Sequence, residues 1–470
     1  MAELETDYLV VGAGASGMGF TDALIADSDA DVVMVDRRHR PGGHWNDDYP
    51  FVRLHQPSAY YGVNSRPLGT DRIDETGPNV GFYERATAAE ICDYYSRVLD
   101  EHFIPSGRVR FLGMCDYLGD IPEGQRIASR LTGETSIVRV RRKLVDATAL
   151  ESSLPSTHTP SFIVDPGVRF VTPNDLIELT DPGSGYTVIG AGKTSMDTCC
   201  WLVDNGVAPE AIRWIRPRDA WTIDRAWMQP LKLMGSIIEW LALEMEAAAE
   251  AEDLPDLVRR LEKSGVIMRL DPDVEPEVFR GAILSEAERA TLRRIENVVR
   301  LGRVRRIGSD RIELEEGSIP TGVRQVHVDC SASGLGMPPA RPIFELGRIT
   351  MQRVQFGIDP FSAALIGYVE ATRDDDDEKN RLCPPNPTTG GAIDLAKSFL
   401  INQRARVAWL TEPDLREWLI ETRLSPFRSL AEQGDDPHVQ SALMRMIQNT
   451  GPAIQNLEQL LSMTASPAPG

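Results

Sequence analysis

Several features that mark other classes of protein are scarce or missing in this chain of 470 residues. No run of about 18 consecutive apolar residues occurs, so the sequence predicts no membrane-spanning helix. The six cysteines form no C-x-x-C pair and are interpreted as reduced, mostly buried thiols, which favours a cytoplasmic protein. Neither G-x-S-x-G nor H-E-x-x-H occurs, and we therefore predict neither a serine hydrolase nor a metal site.

Basic residues are in the minority as well. The chain has 50 lysines and arginines against 70 aspartates and glutamates, which gives a formal net charge of -20. A surface of this kind repels phosphodiester backbones, so no nucleic-acid partner is expected. Glu3, Glu5 and Asp7 stand where a secretory signal peptide would carry basic residues, so no signal peptide is predicted.

The first of two glycine-rich turns follows the apolar run "YLVV". A stretch with helical spacing and the run "DVVMVD" come next, which together predict a βαβ unit. A G-x-G-x-x-G turn allows a pyrophosphate to approach the helix N-terminus closely. Asp36 ends the second strand of the unit, where a carboxylate would bind ribose hydroxyls. The predicted cofactor-binding residues of this unit are Gly12, Gly14, Ala15, Ser16, Gly17 and Asp36.

The stretch "DRRHRPGGHW" begins with that aspartate. Arg37 follows it, and the pair Gly42–Gly43 comes shortly afterwards. A second glycine pair just after the ribose-binding acid is typical of FAD proteins rather than NAD proteins. The first unit is therefore predicted to bind FAD.

The second turn lies in "YTVIGAGKTSMDTCC", whose Gly-Lys-Thr superficially resembles a nucleotide triphosphatase motif. A P-loop needs a glycine five positions before the Gly-Lys, and Thr187 occupies that position. The stretch is therefore interpreted as a second G-x-G turn between a strand and a helix, with a serine in the third glycine position. The predicted cofactor-binding residues of this turn are Gly190, Gly192, Lys193, Thr194 and Ser195.

The residues after the next strand, "IRWI", favour NADPH over NADH. An NAD site usually presents an acid there, whereas this chain has Arg216 and Arg218. Arginine suits a 2′-phosphate through charge-assisted contacts. The alternative is that both arginines only solvate the end of a loop.

With these motifs, the chain resembles the flavoprotein monooxygenases that have two dinucleotide-binding domains: flavin-containing, Baeyer–Villiger and N-hydroxylating enzymes. The resemblance rests on both glycine turns and their separation along the chain, on "DRRHRPGGHW" and on "VDCSASGLG", and it covers most of the chain. It implies FAD at the first turn and NADPH at the second. It also implies a C4a-(hydro)peroxyflavin that transfers oxygen from O₂ to a small organic substrate.

The resemblance further implies that His44 and Trp45 lie beside the flavin and that Gln56 hydrogen-bonds to it. The alternative for Trp45 is a core position next to a hydrogen-bonded histidine.

One family motif is missing. The monooxygenases carry F-x-G-x-x-x-H before the second turn, whereas this chain has Phe170 followed by "VTPNDL". Asn174 or Asp175 could replace the histidine. The departure leaves two alternatives open, which are a flavoprotein reductase or dehydrogenase and a non-catalytic flavin-binding protein.

The predicted fold is α/β, with two Rossmann-like domains and a helical insertion in the second. We expect the first part of the FAD domain at 1–160, the NADP domain at 161–335 with an insertion at about 230–300, and the rest of the FAD domain at 336–470. The acidic run at 374–379 is interpreted as a solvated loop, and a homo-oligomer is compatible with the sequence.

Overall fold

The computed structural model describes residues 3–150, 152–336, 338–387 and 390–465. Its strands, in chain order, are β1 (Glu3–Val11), β2 (Val32–Val35), β3 (Val109–Leu112), β4 (Cys115–Ile121), β5 (Gly124–Ser129), β6 (Thr135–Asp146), β7 (Ser152–Ser153), β8 (Ile163–Val164), β9 (Arg169–Val171), β10 (Gly185–Ile189), β11 (Ile212–Ile215), β12 (Ala220–Asp224), β13 (Val278–Leu284), β14 (Val298–Val299), β15 (Val304–Ile307), β16 (Arg311–Leu314), β17 (Gly317–Pro320), β18 (Gln325–Asp329), β19 (Gly334–Leu335), β20 (Phe344–Glu345) and β21 (Arg348–Thr350).

The α-helices, in chain order, are α1 (Ala15–Ala26), α2 (Ala88–Val98), α3 (Pro173–Leu176), α4 (Lys193–Asp204), α5 (Gly235–Glu250), α6 (Leu254–Lys263), α7 (Glu286–Arg293), α8 (Asp359–Thr372), α9 (Asp376–Leu382), α10 (Ala392–Thr411), α11 (Pro413–Glu421), α12 (Leu430–Gln433) and α13 (Pro437–Ala465).

The first sheet is built around the first glycine turn and has the strand order β20–β21–β6–β1–β2–β3, with the β4–β5 hairpin joined to β6. The strands β1, β2, β3, β6 and β21 run parallel. Every residue of β2 is buried, as expected for a parallel strand that is covered on both faces. The helices α1 and α8 pack against each other. The strands β20 and β21, which follow the second unit in the chain, complete this sheet.

The second sheet surrounds the second glycine turn and is parallel throughout, in the order β14–β11–β10–β18–β9. The strands β15, β16 and β17 form a separate antiparallel group. The predicted α/β fold with two Rossmann-like units is confirmed, while the exact domain limits stay predictions.

The region between the strands of the second unit is less helical than predicted. It contains α5, α6 and α7, but also β13, which pairs in parallel with β12. The helix predicted to continue to residue 300 ends at Arg293, and Val298–Val299 instead forms β14 beside β11. Two β-branched valines suit an edge strand better than a helix end. The prediction was therefore wrong for β13 and for the last part of α7.

A helical cluster forms from α5, α6, α10 and α13, which share one apolar core with β12 and β13. The helix α13 packs along α5, although the two helices are far apart in the chain. The C-terminal third thus contributes both to the first sheet, through β20 and β21, and to this cluster.

The acidic run is not a solvated loop, and that prediction was wrong. Asp375 accepts a hydrogen bond from the backbone N–H of Asp377 and so caps α9. Lys379 is buried and donates to Glu370 at 2.6 Å. Acidic residues at a helix N-terminus are favourable because they complement the helix dipole. In the described part of the chain, no helix has both the length and the apolar character needed to span a bilayer.

Candidate functional site

A cleft of about 810 Å³ lies where the strands of both sheets end. Its volume is in the range of small-molecule sites, and its position at the carboxyl ends of parallel strands is where α/β folds bind ligands. Most of the residues predicted from the sequence line it: Gly12, Gly14, Ala15, Ser16, Asp36, Arg37, Gly43, His44, Trp45, Gln56, Gly190, Gly192, Lys193, Thr194 and Arg218. Gly17, Ser195 and Arg216 are not among the lining residues.

The first turn depends on close backbone approach. Gly12 has a φ of +101°, which disfavours any residue with a Cβ. A Cβ on Gly17 would lie 2.0 Å from the carbonyl oxygen of Gly12, so Gly17 lets α1 meet β1 and does not face the cleft. Asp36 accepts hydrogen bonds from the backbone N–H groups of Ala13 (2.7 Å) and Arg38 (2.8 Å) and thereby orders the turn.

The second glycine pair lies directly against this turn. The N–H of Gly42 donates to the carbonyl of Ala13 at 2.9 Å. A Cβ on Gly43, whose φ is +57°, would come within 2.8 Å of the Cα of Gly14. The stretch "PGG" therefore brings the chain that carries His44 into the cleft.

The indole of Trp45 lines the cleft and is also tied to the core. Its Nε1 donates to Oη of Tyr61 at 2.6 Å, and its ring lies 4.8 Å from that of His44. Burial, together with the nearby guanidinium of Arg38, lowers the pKa of His44 to about 4. His44 is consequently a neutral imidazole at physiological pH.

The second turn repeats the geometry of the first. Gly190 has a φ of +135°, and a Cβ there would lie 2.3 Å from the carbonyl oxygen of Cys330. Ser195 is fully buried, and its Oγ donates to the carbonyl of Gly192 at 2.7 Å. Since its hydroxyl bonds within the turn, Ser195 takes the packing role that Gly17 has in the first unit.

Lys193 lines the cleft, but its ammonium group pairs with Asp197 one turn along α4. Asp197 also accepts a hydrogen bond from the hydroxyl of Tyr49 at 2.8 Å. The charge predicted to lie beside a phosphate is therefore partly neutralised by a carboxylate.

Arg216 does not line the cleft. It is 4% exposed, pairs with Asp219 at 3.0 Å and Asp271 at 3.7 Å, and its guanidinium lies 4.7 Å from the ring centre of Trp214. The structure thus does not bring Arg216 to the predicted phosphate site.

Two arginines that the sequence analysis missed do line the cleft beside Arg218. These are Arg280 on β13 and Arg303 just before β15, and all three side chains are exposed. Although its side chain is exposed, loss of hydration inside the cleft, and then the positive charges of Arg218 and Arg303, lower the pKa of Arg280. No local motif marks these two arginines, because they are far from Arg218 and from each other in the chain.

The segment that replaces F-x-G-x-x-x-H contributes no histidine to the cleft. Phe170 packs edge-on against Phe162, with ring centres 5.8 Å apart. The amide nitrogen of Asn174 donates to the backbone carbonyls of Asp47 (3.2 Å) and Asp48 (3.1 Å). Asp175 is exposed and caps α3, so neither proposed substitute for the histidine lines the cleft.

The strands β6 and β18, which pair with β1 and β10, end in the same way. Asp146 accepts from the backbone and hydroxyl of Thr148, and Asp329 accepts in the same manner from Ser331. The second carboxylate oxygen of Asp329 faces Nε2 of His158 at 3.0 Å, on the crossover between the two units. The shared pattern Asp-x-[Thr/Ser] is the sequence signal that could have identified this pair.

An apolar wall completes the cleft on the side of the helical cluster. Its main members are Ile223, Met228, Trp240, Phe279 and Phe356. The first four are buried, and Trp240 belongs to α5. These apolar side chains and both turns line the same cleft.

Both turns have the features that a dinucleotide requires. The helices α1 and α4 begin after Gly14 and Gly192, and neither N-terminus is capped by a side chain, so their first N–H groups are free for an anion. A Cβ on Gly192 would meet no atom within 4 Å. The residues present therefore fit a pyrophosphate at each turn.

Comparison with known proteins agrees with this geometry. Residues 10–62 match the family model of the NAD(P)-binding Rossmann-like domain. The uncharacterized protein Rv2000 of Mycobacterium tuberculosis is 43% identical over 461 residues, which span 97% of this chain and 85% of that protein. A probable FAD-binding monooxygenase, AlmA of Acinetobacter baylyi, is 29% identical over 103 residues, or 22% of this chain and 20% of that protein.

Among solved structures, the open form of a cyclohexanone monooxygenase superimposes with a TM-score of 0.51 at 13% identity, over 87% of this chain and 98% of that one. At this identity the match establishes a shared fold. The chain therefore belongs to the same family as Rv2000, and it has the fold of the flavoprotein monooxygenases with two dinucleotide-binding domains.

Proposed function

We propose that this protein is an FAD-dependent, NADPH-consuming oxidoreductase that acts as a monooxygenase on a small organic substrate. The observation that carries the proposal is the single cleft lined by both glycine turns, each with an uncapped helix N-terminus. Two dinucleotides bound there would meet at their redox-active ends. The flavin would supply hydride acceptance and reaction with oxygen, and the protein supplies binding, orientation and exclusion of water.

The first unit holds FAD in this proposal. Gly12, Gly14 and Ser16 line the cleft and would surround the pyrophosphate, and Asp36 would bind the ribose. His44 and Trp45 line the same cleft and would border the flavin ring. Because His44 is neutral, it would place no positive charge beside the flavin.

The second unit holds NADPH. Gly190, Gly192 and Thr194 border the pyrophosphate position, while Arg218, Arg280 and Arg303 form an exposed cationic group at the cleft. Guanidinium groups bind phosphate through charge-assisted hydrogen bonds, which supports a 2′-phosphate and hence NADPH rather than NADH. The apolar wall favours a neutral organic substrate, because it presents no charged side chain of its own.

A second candidate is a flavoprotein reductase or dehydrogenase that transfers no oxygen atom. It is favoured by one observation: the segment 169–176 places neither a histidine nor a substitute for it in the cleft. Phe170 packs into the core, and Asn174 is occupied by backbone carbonyls.

The test is a visible spectrum of the purified protein, followed through anaerobic addition of NADPH and then oxygen. A flavin band that bleaches with NADPH supports the cofactor pair, and a colourless protein that binds no added FAD contradicts it. The hydrogen peroxide formed per NADPH, with and without neutral organic substrates, separates the candidates. A monooxygenase diverts reducing equivalents into oxygenated product, whereas a reductase yields stoichiometric peroxide with every substrate.

A further inference from the structure

We propose that the carboxyl group of Asp48 is the proton donor of the cleft and delivers the proton that each turnover consumes. This inference rests on the proposed function. Asp48 follows His44 and Trp45, which are proposed to border the flavin. It lies on the side of the cleft that faces α4, the helix proposed to bind NADPH.

The proton is required by the balance of the reaction. NADPH gives up a hydride, which carries two electrons and one hydrogen, while O₂ must gain two electrons and two hydrogens to become hydrogen peroxide. When an oxygen atom enters a substrate, the same hydride and one proton leave with the other oxygen atom as water. In either case the O–H bond of Asp48 breaks, its electron pair stays on the carboxylate, and a solvent proton restores the acid.

The geometry distinguishes Asp48 from the other acids of the cleft. Four aspartates line the cleft, and three are stabilised as carboxylates: Asp36 by two backbone N–H groups, Asp116 by Arg130 at 3.2 Å, and Asp359 by Arg353 at 2.6 Å. Asp48 accepts one hydrogen bond, from the N–H of Tyr49 at 3.1 Å. Within the described ranges it has no cationic partner.

The surroundings of Asp48 disfavour a negative charge on its carboxyl group. On its own segment it faces Asp47, which pairs with Arg38, and on α4 it faces Asp197, which binds Lys193 and Tyr49. Burial, together with the charges of Asp197 and Asp47, raises the pKa of Asp48 to about 7, although the N–H of Tyr49 opposes this shift. A carboxyl group with such a pKa is half protonated near neutrality and can both give and regain a proton.

The backbone at this position is held in place. Asn174 on α3 donates to the carbonyls of Asp47 and Asp48, and Ser156 on the crossover donates to the carbonyl of Asp47 at 2.6 Å. Asp48 is therefore anchored from the second unit while it belongs to the first. Asn174, which lies in the segment that departs from the family motif, thus positions Asp48.

The other titratable groups of the cleft are unsuited to this role. Burial, aided by nearby cations, lowers the pKa of His44 to about 4 and that of His55 to about 3, so both are neutral near pH 7. Burial raises the pKa values of Tyr49, Tyr61 and Cys330 far above neutrality. A group changes its protonation state mainly within roughly one pH unit of its pKa, so none of these groups exchanges protons near neutrality.

The direct test is infrared spectroscopy of the protonated-carboxyl C=O band as a function of pH, on the holoenzyme and on Asp48→Asn. Glu244→Gln is the matched control, since burial raises the pKa of Glu244 to about 8 within the helical cluster, away from the lining of the cleft. We expect a wild-type component with a midpoint of about 7 that Asp48→Asn removes and Glu244→Gln retains. A spectrum in which Asp48→Asn removes no titrating component overturns the proposal.

Kinetics then test the role of the proton. Loss of a general acid slows the step that needs it by about 10²-fold, and the wild-type rate of NADPH oxidation should fall as pH rises through about 7. Asp48→Asn should oxidise NADPH slowly, and its rate should not fall as pH rises through this range. Glu244→Gln should keep the wild-type rate and its pH dependence. If Asp48→Asn keeps the wild-type profile, this inference fails alone. If no flavin is bound, the proposed function fails, and the role of Asp48 with it.

Discussion

The hydroxyl of Tyr49 donates to Oδ2 of Asp197 at 2.8 Å, and this hydrogen bond joins the segment that follows Trp45 to the first turns of α4. Tyr49 is 3% exposed. Beside it, the ring of Phe51 stacks on Trp201 of α4 with centres 4.8 Å apart. The two contacts fix the relative position of the two proposed cofactor sites.

Tyr49→Phe removes the hydroxyl and leaves the partly buried carboxylate of Asp197 with Lys193 as its partner. Hydrogen bonds to charged groups contribute about 2 kcal/mol, so we expect the free energy of unfolding to fall by about that amount. Urea denaturation measures it. Tyr60→Phe is the control, because Tyr60 donates to a neutral carbonyl, that of Gln229, and should lose about 1 kcal/mol. Equal losses in the two variants would contradict the assignment.

Arginine substitutions should separate the cationic group at the cleft from Arg216. Arg218→Ala and Arg303→Ala should each weaken NADPH binding by about tenfold, with little change for NADH, because only NADPH carries the 2′-phosphate. Arg216→Ala should affect both nucleotides alike and lower the free energy of unfolding by about 2 kcal/mol, since Arg300 still pairs with Asp219 at 2.8 Å. Calorimetric titration of each variant with NADPH and with NADH measures these affinities. A selective NADPH defect in Arg216→Ala would contradict the structure.

The glycine turns give a paired prediction. Gly192→Ala adds a Cβ with no atom of the described residues within 4 Å, at a φ of -90° that alanine adopts freely, so stability should be unchanged. The added methyl group would occupy the space proposed for the pyrophosphate, and nucleotide affinity should fall. Gly17→Ala places a Cβ 2.0 Å from a carbonyl oxygen and should disrupt α1 and flavin retention together. Unchanged nucleotide affinity in Gly192→Ala would remove the second turn from the site.

Stability should depend on pH through Glu244. Burial raises its pKa from 4.5 to about 8, although the positive charge of Arg406 opposes this shift, so the folded protein holds a proton that the unfolded chain releases. Between these two values, the free energy of unfolding therefore falls as pH rises. Glu244→Gln stays neutral, so it should be more stable than wild type at pH 8 and equal to it at pH 4. Thermal melts at both pH values test this, and a stabilisation of the same size at pH 4 would contradict it.

The amino-acid sequence predicted those structural features that depend on residues close together in the chain. Both G-x-G turns, their flanking strands and Asp36 lie within short βαβ units. Gly12 and Gly190 are required by their positive φ angles, and Gly17 by its close approach to the carbonyl of Gly12. The run at 374–379 was predicted wrongly, because Lys379 is buried against Glu370 from another helix.

Within the candidate site, the sequence by itself determined the two turns and the segment that carries His44 and Trp45. Only the tertiary structure decided which charges reach the cleft: Arg216 turns towards Asp219, Arg280 and Arg303 arrive from distant strands, and Lys193 pairs with Asp197. It also decided that Asp48 has no counter-ion among the described residues, while Asp47 and Asp197 have one. The physical reason is that local backbone geometry follows from adjacent residues, whereas burial and ion pairing depend on contacts between segments far apart in the chain.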